Sequence, residues 1–191
     1  PGPSTNAEVT LEPYDNVLIF RQPNFELQRT VTIAGEVMFP GTYALRAKDD
    51  RLADLVQRAG GLTPRAYSEG IRFVRTADSR GRINIDLPKA LKDHRSRDNI
   101  ILQPGDSIRI PEYQPSVLVS GAVNSPGSVL YRAGAPLDYY LSAAGGFNRL
   151  AVKGQVSVRY ANGEVRTRSN GILFSNNPRP GPGSEVVVPS K

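Results

Sequence analysis

The chain has 191 residues, 39% of them hydrophobic and 22% charged, which is enough apolar side chain for a packed core in one large or two small domains and too much for wholesale disorder. Its net charge is +6, carried mostly by scattered arginine, a balance that favours anionic partners but is equally that of an ordinary solvated surface. There is no cysteine, so disulfides, thiolate metal sites and a cysteine nucleophile are excluded, and no run approaches the ~18 apolar residues of a membrane-spanning helix.

With 18 glycines and 16 prolines the chain is rich in turns. The opening "PGPS" reads as partly a cloning remnant, and no initiating methionine or signal peptide is present, so an excised piece of a longer protein is expected. "LEPYDNVLIF" (11–20) follows as a turn and a short strand, with Asp15 accepting backbone bonds and Val17 and Ile19 alternating. Val31, Ile33 and Val37 then alternate with small or polar residues as a half-buried strand does. "GEVMFPGTYAL" (35–45) places Pro40 and Gly41 at a turn, where a negative φ followed by a positive one is expected. A plain type II turn would splay a two-residue hairpin, so a longer or bulged loop is predicted, with Tyr43 and Leu45 on the return strand.

"RLADLVQRAGGL" (51–62) predicts a helix. Leu52, Leu55, Val56 and Ala59 form one apolar stripe, Asp49 or Asp50 can cap it, and Gly60 and Gly61 end it. A second hairpin, "IRFVR" and "RINIDL" around "ADSRG", comes next; Arg72 and Arg75 alternate with apolar residues and are expected to face solvent or a neighbouring subunit. A short helix is predicted over 88–93, and the lone His94 sits in a polar stretch as a solvated side chain. "LQPGDSIRIP" (102–111) closes the unit: Asp106 in a turn, then Ile108 and Ile110 in a strand.

The same phrases then return. "GAVNSPGSVLY" (121–131) repeats the glycine and Pro-Gly spacing with Gly121, Pro126 and Gly127, preceded by Val117 and Val119. "PLDYYLSAAGGF" (136–147) repeats the helix, with Pro136 in its first turn, Leu137, Tyr140, Leu141 and Ala144 as its stripe, and Gly145 and Gly146 as its end. "QVSVRY" and "EVRTR" flank Asn162-Gly163, a hairpin signal, and "PGPGSEVVVP" from Pro180 is a third copy of the closing phrase. The organisation is therefore the tail of a preceding module and linker over 1–28, one module over 29–113 and a second over 114–191. Each is expected to be an α+β unit, a small mixed sheet packed on one helix. A unit of about 80 residues is only modestly stable, so neighbours should share buried surface.

Taken together, "VTIAGEVMFPGTYALRAKDDRLADLVQRAGGLTPRAYSEG", "VLVSGAVNSPGSVLYRAGAPLDYYLSAAGGFN" and "LQPGDSIRIP" resemble tandem SLBB domains, the soluble-ligand-binding β-grasp family, over nearly all of 11–189. The second copy departs at Ser125, at Pro136-Leu137 and in the shortened stretch before Pro180. Such tandem domains are similar to those of outer-membrane polysaccharide export proteins. That resemblance implies a non-enzymatic periplasmic module of an outer-membrane-associated protein in a Gram-negative-type bacterium. It implies homo-oligomeric ring assembly, capsule or exopolysaccharide as a partner, and contact with the inner-membrane co-polymerase and export machinery. Nucleic acid is not expected on this reading, and no cofactor or metal is implied. The family also includes cobalamin carriers and a DNA receptor, so the alternative is a monomeric binder of a small ligand or of nucleic acid on the same fold.

No catalytic constellation is present: no phosphate-cradling glycine loop, no serine–histidine–carboxylate set and no ligand cluster. The glycines of the repeated phrases are read as structural. Sugars are held by aromatic faces with charged or amide hydrogen-bonding groups beside them. Tyr139, Arg132 and Arg149 are the candidate ligand-binding residues on that basis, whereas Tyr140 falls on the helix stripe and reads as core. Tyr43 and Tyr131 lie on the return strands.

Overall fold

A computed structural model of the chain describes residues 12–13, 29–76, 81–170 and 175–191. The expectations for Asp15, Val17 and Ile19, for the tail over 1–28 and for the hairpin tip at 77–80 fall outside the described residues.

The first sheet is built from β1 (Thr30–Gly35), β2 (Gly41–Ala44), β3 (Arg72–Arg75), β4 (Gly81–Ile83) and β5 (Ser107–Ile110), with helices α1 (Leu52–Arg58) and α2 (Leu87–Lys92) between strands. Its order is β2-β1-β5-β3-β4, with β1 and β5 parallel and the other pairs antiparallel. The second sheet uses β6 (Ser116–Gly121), β7 (Gly127–Leu130), helix α3 (Leu137–Ala143), β8 (Ser157–Arg159) and β9 (Val165–Thr167). After a short pair, β10 (Ser169–Asn170) and β11 (Ser175–Asn176), it closes with β12 (Glu185–Val188). Its order, β7-β6-β12-β8-β9, repeats the first, with β6 and β12 parallel. The α+β reading, two tandem β-grasp units, is the observed architecture.

Register places equivalent residues in equivalent positions. Ile33, Ile108 and Phe73 form one cross-strand row; Val119, Val186 and Val158 form its counterpart. All six are fully buried. Both predicted helix stripes face their sheets: Leu52, Leu55, Val56 and Ala59 in one core, Leu137, Tyr140, Leu141 and Ala144 in the other. Each fully buried leucine contributes roughly 1.5–3 kcal/mol. The two clusters have no residue in common, so each domain carries its own core.

The repeated glycine phrases prove to be one device. Gly35 and Gly121, both at φ 87°, end β1 and β6 where a Cβ would fall on the carbonyl oxygens of Ile110 and Val188. The next residue then bonds that same carbonyl, Glu36 N–H to Ile110 O and Ala122 N–H to Val188 O, each at 2.8 Å. The loops beyond do not turn tightly on themselves but hang on the helix ends. Met38 and Phe39 donate to Gly61 O (3.1 Å) and Ala59 O (2.8 Å); Asn124 and Ser125 donate to Gly146 O (3.0 Å) and Ala144 O (2.9 Å). The helix ends are paired 6→1 and 5→2 bonds: Gly61 to Val56 and Gly60 to Gln57, then Gly146 to Leu141 and Gly145 to Ser142, with all four glycines at positive φ as expected.

The structure corrects four details. Gly41 and Gly127 are not at positive φ; the left-handed residues are Gly35 and Gly121, because the strand must pass over a backbone carbonyl there. Neither Asp49 nor Asp50 caps α1. The Asp50 carboxylate is engaged by Arg46 N–H (2.7 Å) and Arg58 Nη2 (3.0 Å), and the helix start is served by Asp54, which accepts from Arg51 N–H, and by buried Asn99, which accepts from Ala53 N–H (2.9 Å). Pro136 stands one residue ahead of α3, as its N-cap. Arg75 does not face solvent: it is buried and grips Asp106 through Nε (2.8 Å) and Nη2 (2.7 Å). Asp106 also accepts from Gln103 N–H (2.7 Å), the turn bond the sequence predicts.

The domains touch through polar contacts. Arg72 Nε donates to Ala161 O (2.8 Å) and Arg82 Nη1 to Asn162 O (3.4 Å), so the outer face of the first sheet receives the β8–β9 hairpin. Tyr67 N–H donates to Pro111 O (2.8 Å) and the Tyr67 ring meets Tyr113 edge-on at 5.8 Å, which pins the connecting segment to the first domain.

Candidate functional site at the domain junction

Two aromatic, arginine-bearing surfaces compete as sites. The first is the predicted one. The Arg132 guanidinium lies 5.8 Å from the centre of the Tyr139 ring, and Tyr139 stands edge-on to Tyr140 at 5.1 Å. Tyr139 is 38% exposed, whereas Tyr140 is buried; its hydroxyl donates to Arg132 O and accepts from Arg132 N–H. Burial pushes that hydroxyl above its ordinary pKa. The structure thus joins Arg132 to Tyr139 and confirms Tyr140 as core. Arg149 is not brought to them: it is exposed on the turn after Phe147, with no hydrogen bond or ion pair to either among the described residues.

The second surface is a cleft of about 610 Å³ between the domains, within the range of small-ligand sites. The first domain supplies Tyr67 and Glu69 from the 3₁₀ turn Ser68–Gly70 and the residue before it. The second supplies Tyr131 from the end of β7, Tyr160 and Arg166 from the β8–β9 hairpin, and Arg179 from the stretch before β12. The hairpin is shaped locally: Gly163 takes φ 84°, Tyr160 N–H donates to Glu164 O (2.8 Å), and the Asn162 side chain accepts from Glu164 N–H (2.8 Å).

Charges in the cleft are mostly spent on one another. Arg166 Nε donates to Glu164 at 2.7 Å and the guanidinium lies 5.6 Å from the Tyr160 ring centre. Glu69 faces the Tyr67 hydroxyl at 3.5 Å. Burial, then the Glu69 carboxylate, pushes the Tyr67 pKa to about 12; burial also raises Tyr160, with Arg166 opposing. Both phenols therefore remain neutral donors at physiological pH. Tyr160 already uses its hydroxyl on Arg179 O (2.9 Å) and so offers chiefly a ring.

Sequence reasoning singled out Tyr131 only as a return-strand residue and passed over Tyr67 and Tyr160. Tyr67 and Tyr160 lie far apart in the chain, and only packing of one domain on the other brings them together. No helix among the described residues is long and apolar enough to cross a membrane, and no group of metal-ligating side chains occurs among them. His94 is exposed, 4.0 Å from Asp54.

A family model described as SLBB domain matches residues 29–110, and a second of the same description matches 116–168. No curated protein matches the chain.

Proposed function

We propose, from the premise that this chain belongs to the SLBB domain family, that it is a non-enzymatic module of a polysaccharide export protein. SLBB domains are binding modules and are found in polysaccharide export proteins. On this reading the two domains sit in the periplasm, within an outer-membrane-associated protein. They help assemble homo-oligomeric rings beside the inner-membrane export machinery, with capsule or exopolysaccharide as the passing cargo. The observation that carries it is the repeat itself: two β-grasp units of identical strand order, with separate cores and a polar, aromatic junction between them. Such units suit stacking and holding rather than chemistry.

Arg132 and Tyr139 remain a proposed accessory contact beside the cleft, since Tyr131 and Gly134 on either side of Arg132 line it. Arg149, isolated on its turn, is proposed as an outer contact only. The test is removal of residues 29–191 from the parent protein in its own bacterium. Surface polysaccharide is expected to fall while polymer accumulates inside; unchanged surface polymer refutes the export role. The alternative, a monomeric binder of a small ligand or of nucleic acid on this fold, predicts a deep ligand pocket or a nucleic-acid affinity that falls steeply with salt, which a salt titration reads.

A further inference from the structure

We propose that the cleft between the domains is a binding site for an uncharged oligosaccharide, held jointly by Tyr67 of the first domain and Tyr131 and Tyr160 of the second. The proposal deepens the export reading and rests on it for the choice of saccharide.

Three features carry it. Aromatic rings converge from both sides of one cleft, and sugar C–H faces pack on such rings. Beside them stand Asn162, Asn176 and Asn177, amides that both donate and accept and so suit hydroxyls better than charges. Among the described residues that line the cleft, acid and base balance: Glu164 is matched by Arg166, and Glu69 offsets Arg179. A uronate chain entering here would meet two carboxylates as well as two guanidiniums, so the lining gives it no net charge attraction. The further cations Arg72 and Arg82 stand at the junction from the outer sheet face, each with a donor already spent on Ala161 O or Asn162 O.

Direct bonds tie the domains beside the cleft, Arg72 to Ala161 and Arg82 to Asn162. A ligand lying across Tyr67 and Tyr160 adds contacts that exist only when the two domains hold this mutual position. Binding therefore stiffens the junction.

The experiment is a titration of the whole chain, carrying ring-labelled tyrosine, with cellotriose and maltotriose as neutral probes and trigalacturonate as the acidic one. Saturable shifts of Tyr67, Tyr131 and Tyr160 together, with a neutral probe, are expected at concentrations up to about 10 mM, where even a ~1 mM dissociation constant registers. Tyr131→Ala and Arg166→Ala should each weaken binding at least about threefold. Arg166 lies on an exposed strand position, so its variant reports on the site even if Tyr131→Ala disturbs the fold. No response to either neutral probe, shifts confined to Tyr139 and Tyr140, or tighter binding of trigalacturonate overturns the proposal. Any of these leaves the export role, judged by surface polymer, standing; loss of that role with binding intact leaves the cleft standing.

Discussion

Replacing Asp106 by alanine is expected to destabilise the first domain selectively. The carboxylate is 1% exposed and receives two bonds from Arg75, at 2.7 and 2.8 Å, and one from Gln103 N–H at 2.7 Å. Arg75 keeps a bond to Ile101 O (2.9 Å), so its guanidinium stays buried after the carboxylate that takes two of its bonds is gone. Breaking one side of a buried pair costs about 3–5 kcal/mol. A domain of this size holds roughly 4–12 kcal/mol in total, at about 0.05–0.15 kcal/mol per residue. Urea unfolding followed by resolved amide signals from each domain separates the two cores. With a slope of about 1–3 kcal/mol per M, the first domain's midpoint should drop by at least about 1 M while the second domain's stays put. At the matching positions the second domain carries a different pair: two residues beyond Val158, where Arg75 follows Phe73, stands Tyr160, and two before Val186, where Asp106 precedes Ile108, stands Ser184. Ser184 accepts from Gly181 N–H (3.0 Å) in the same turn. The double change Arg75→Tyr with Asp106→Ser should therefore cost less than Asp106→Ala alone. A loss below about 1 kcal/mol, or equal loss in both domains, refutes the reasoning.

Gly35→Ala and Gly121→Ala should each destabilise their own domain by more than about 1 kcal/mol, because the left-handed backbone and the facing carbonyl of Ile110 or Val188 both exclude a Cβ; separate chemical denaturation midpoints check this. Asn99→Ala should cost about 1–2 kcal/mol in the first domain, since the buried side chain bonds Ala53 N–H and His94 O; amide exchange at the start of α1 should quicken in parallel. Tyr67 should ionise only near pH 12, against about 10 for a free phenol, as read by tyrosinate absorbance with Tyr67→Phe removing the latest step. Because its folded pKa is raised, the folded state holds the proton longer; the stability this gives is full below about pH 10 and is lost as pH climbs through 12. Titration of every tyrosine near pH 10 contradicts it.

Much of the fold was legible because local and tertiary signals agree. The stripe Leu52, Leu55, Val56 and Ala59 has helical spacing and is the face that packs, and the glycine pairs after both helices leave no other backbone course. The role of Gly35 was not legible. Its reason is the Ile110 carbonyl, which reaches it only when β5 runs parallel beside β1. Arg75 misled for a related cause: two residues past Phe73 it shares the buried face of β3, and only the distant Asp106 makes a buried arginine tenable there. The candidate site was half visible. Arg132 and Tyr139 are near neighbours in sequence and do meet, whereas Tyr67 and Tyr160 line one cleft across a junction that no local pattern encodes.

The central claim is that this domain pair handles glycan in transit, at its junction. A photoreactive amino acid placed at Tyr131 in the parent protein, with exported polysaccharide metabolically labelled, tests it most directly. The account predicts labelled polymer crosslinked at position 131 and not from the same probe at Lys89, on the exposed side of α2. Equal labelling at both positions, or none at 131 while export proceeds, contradicts it.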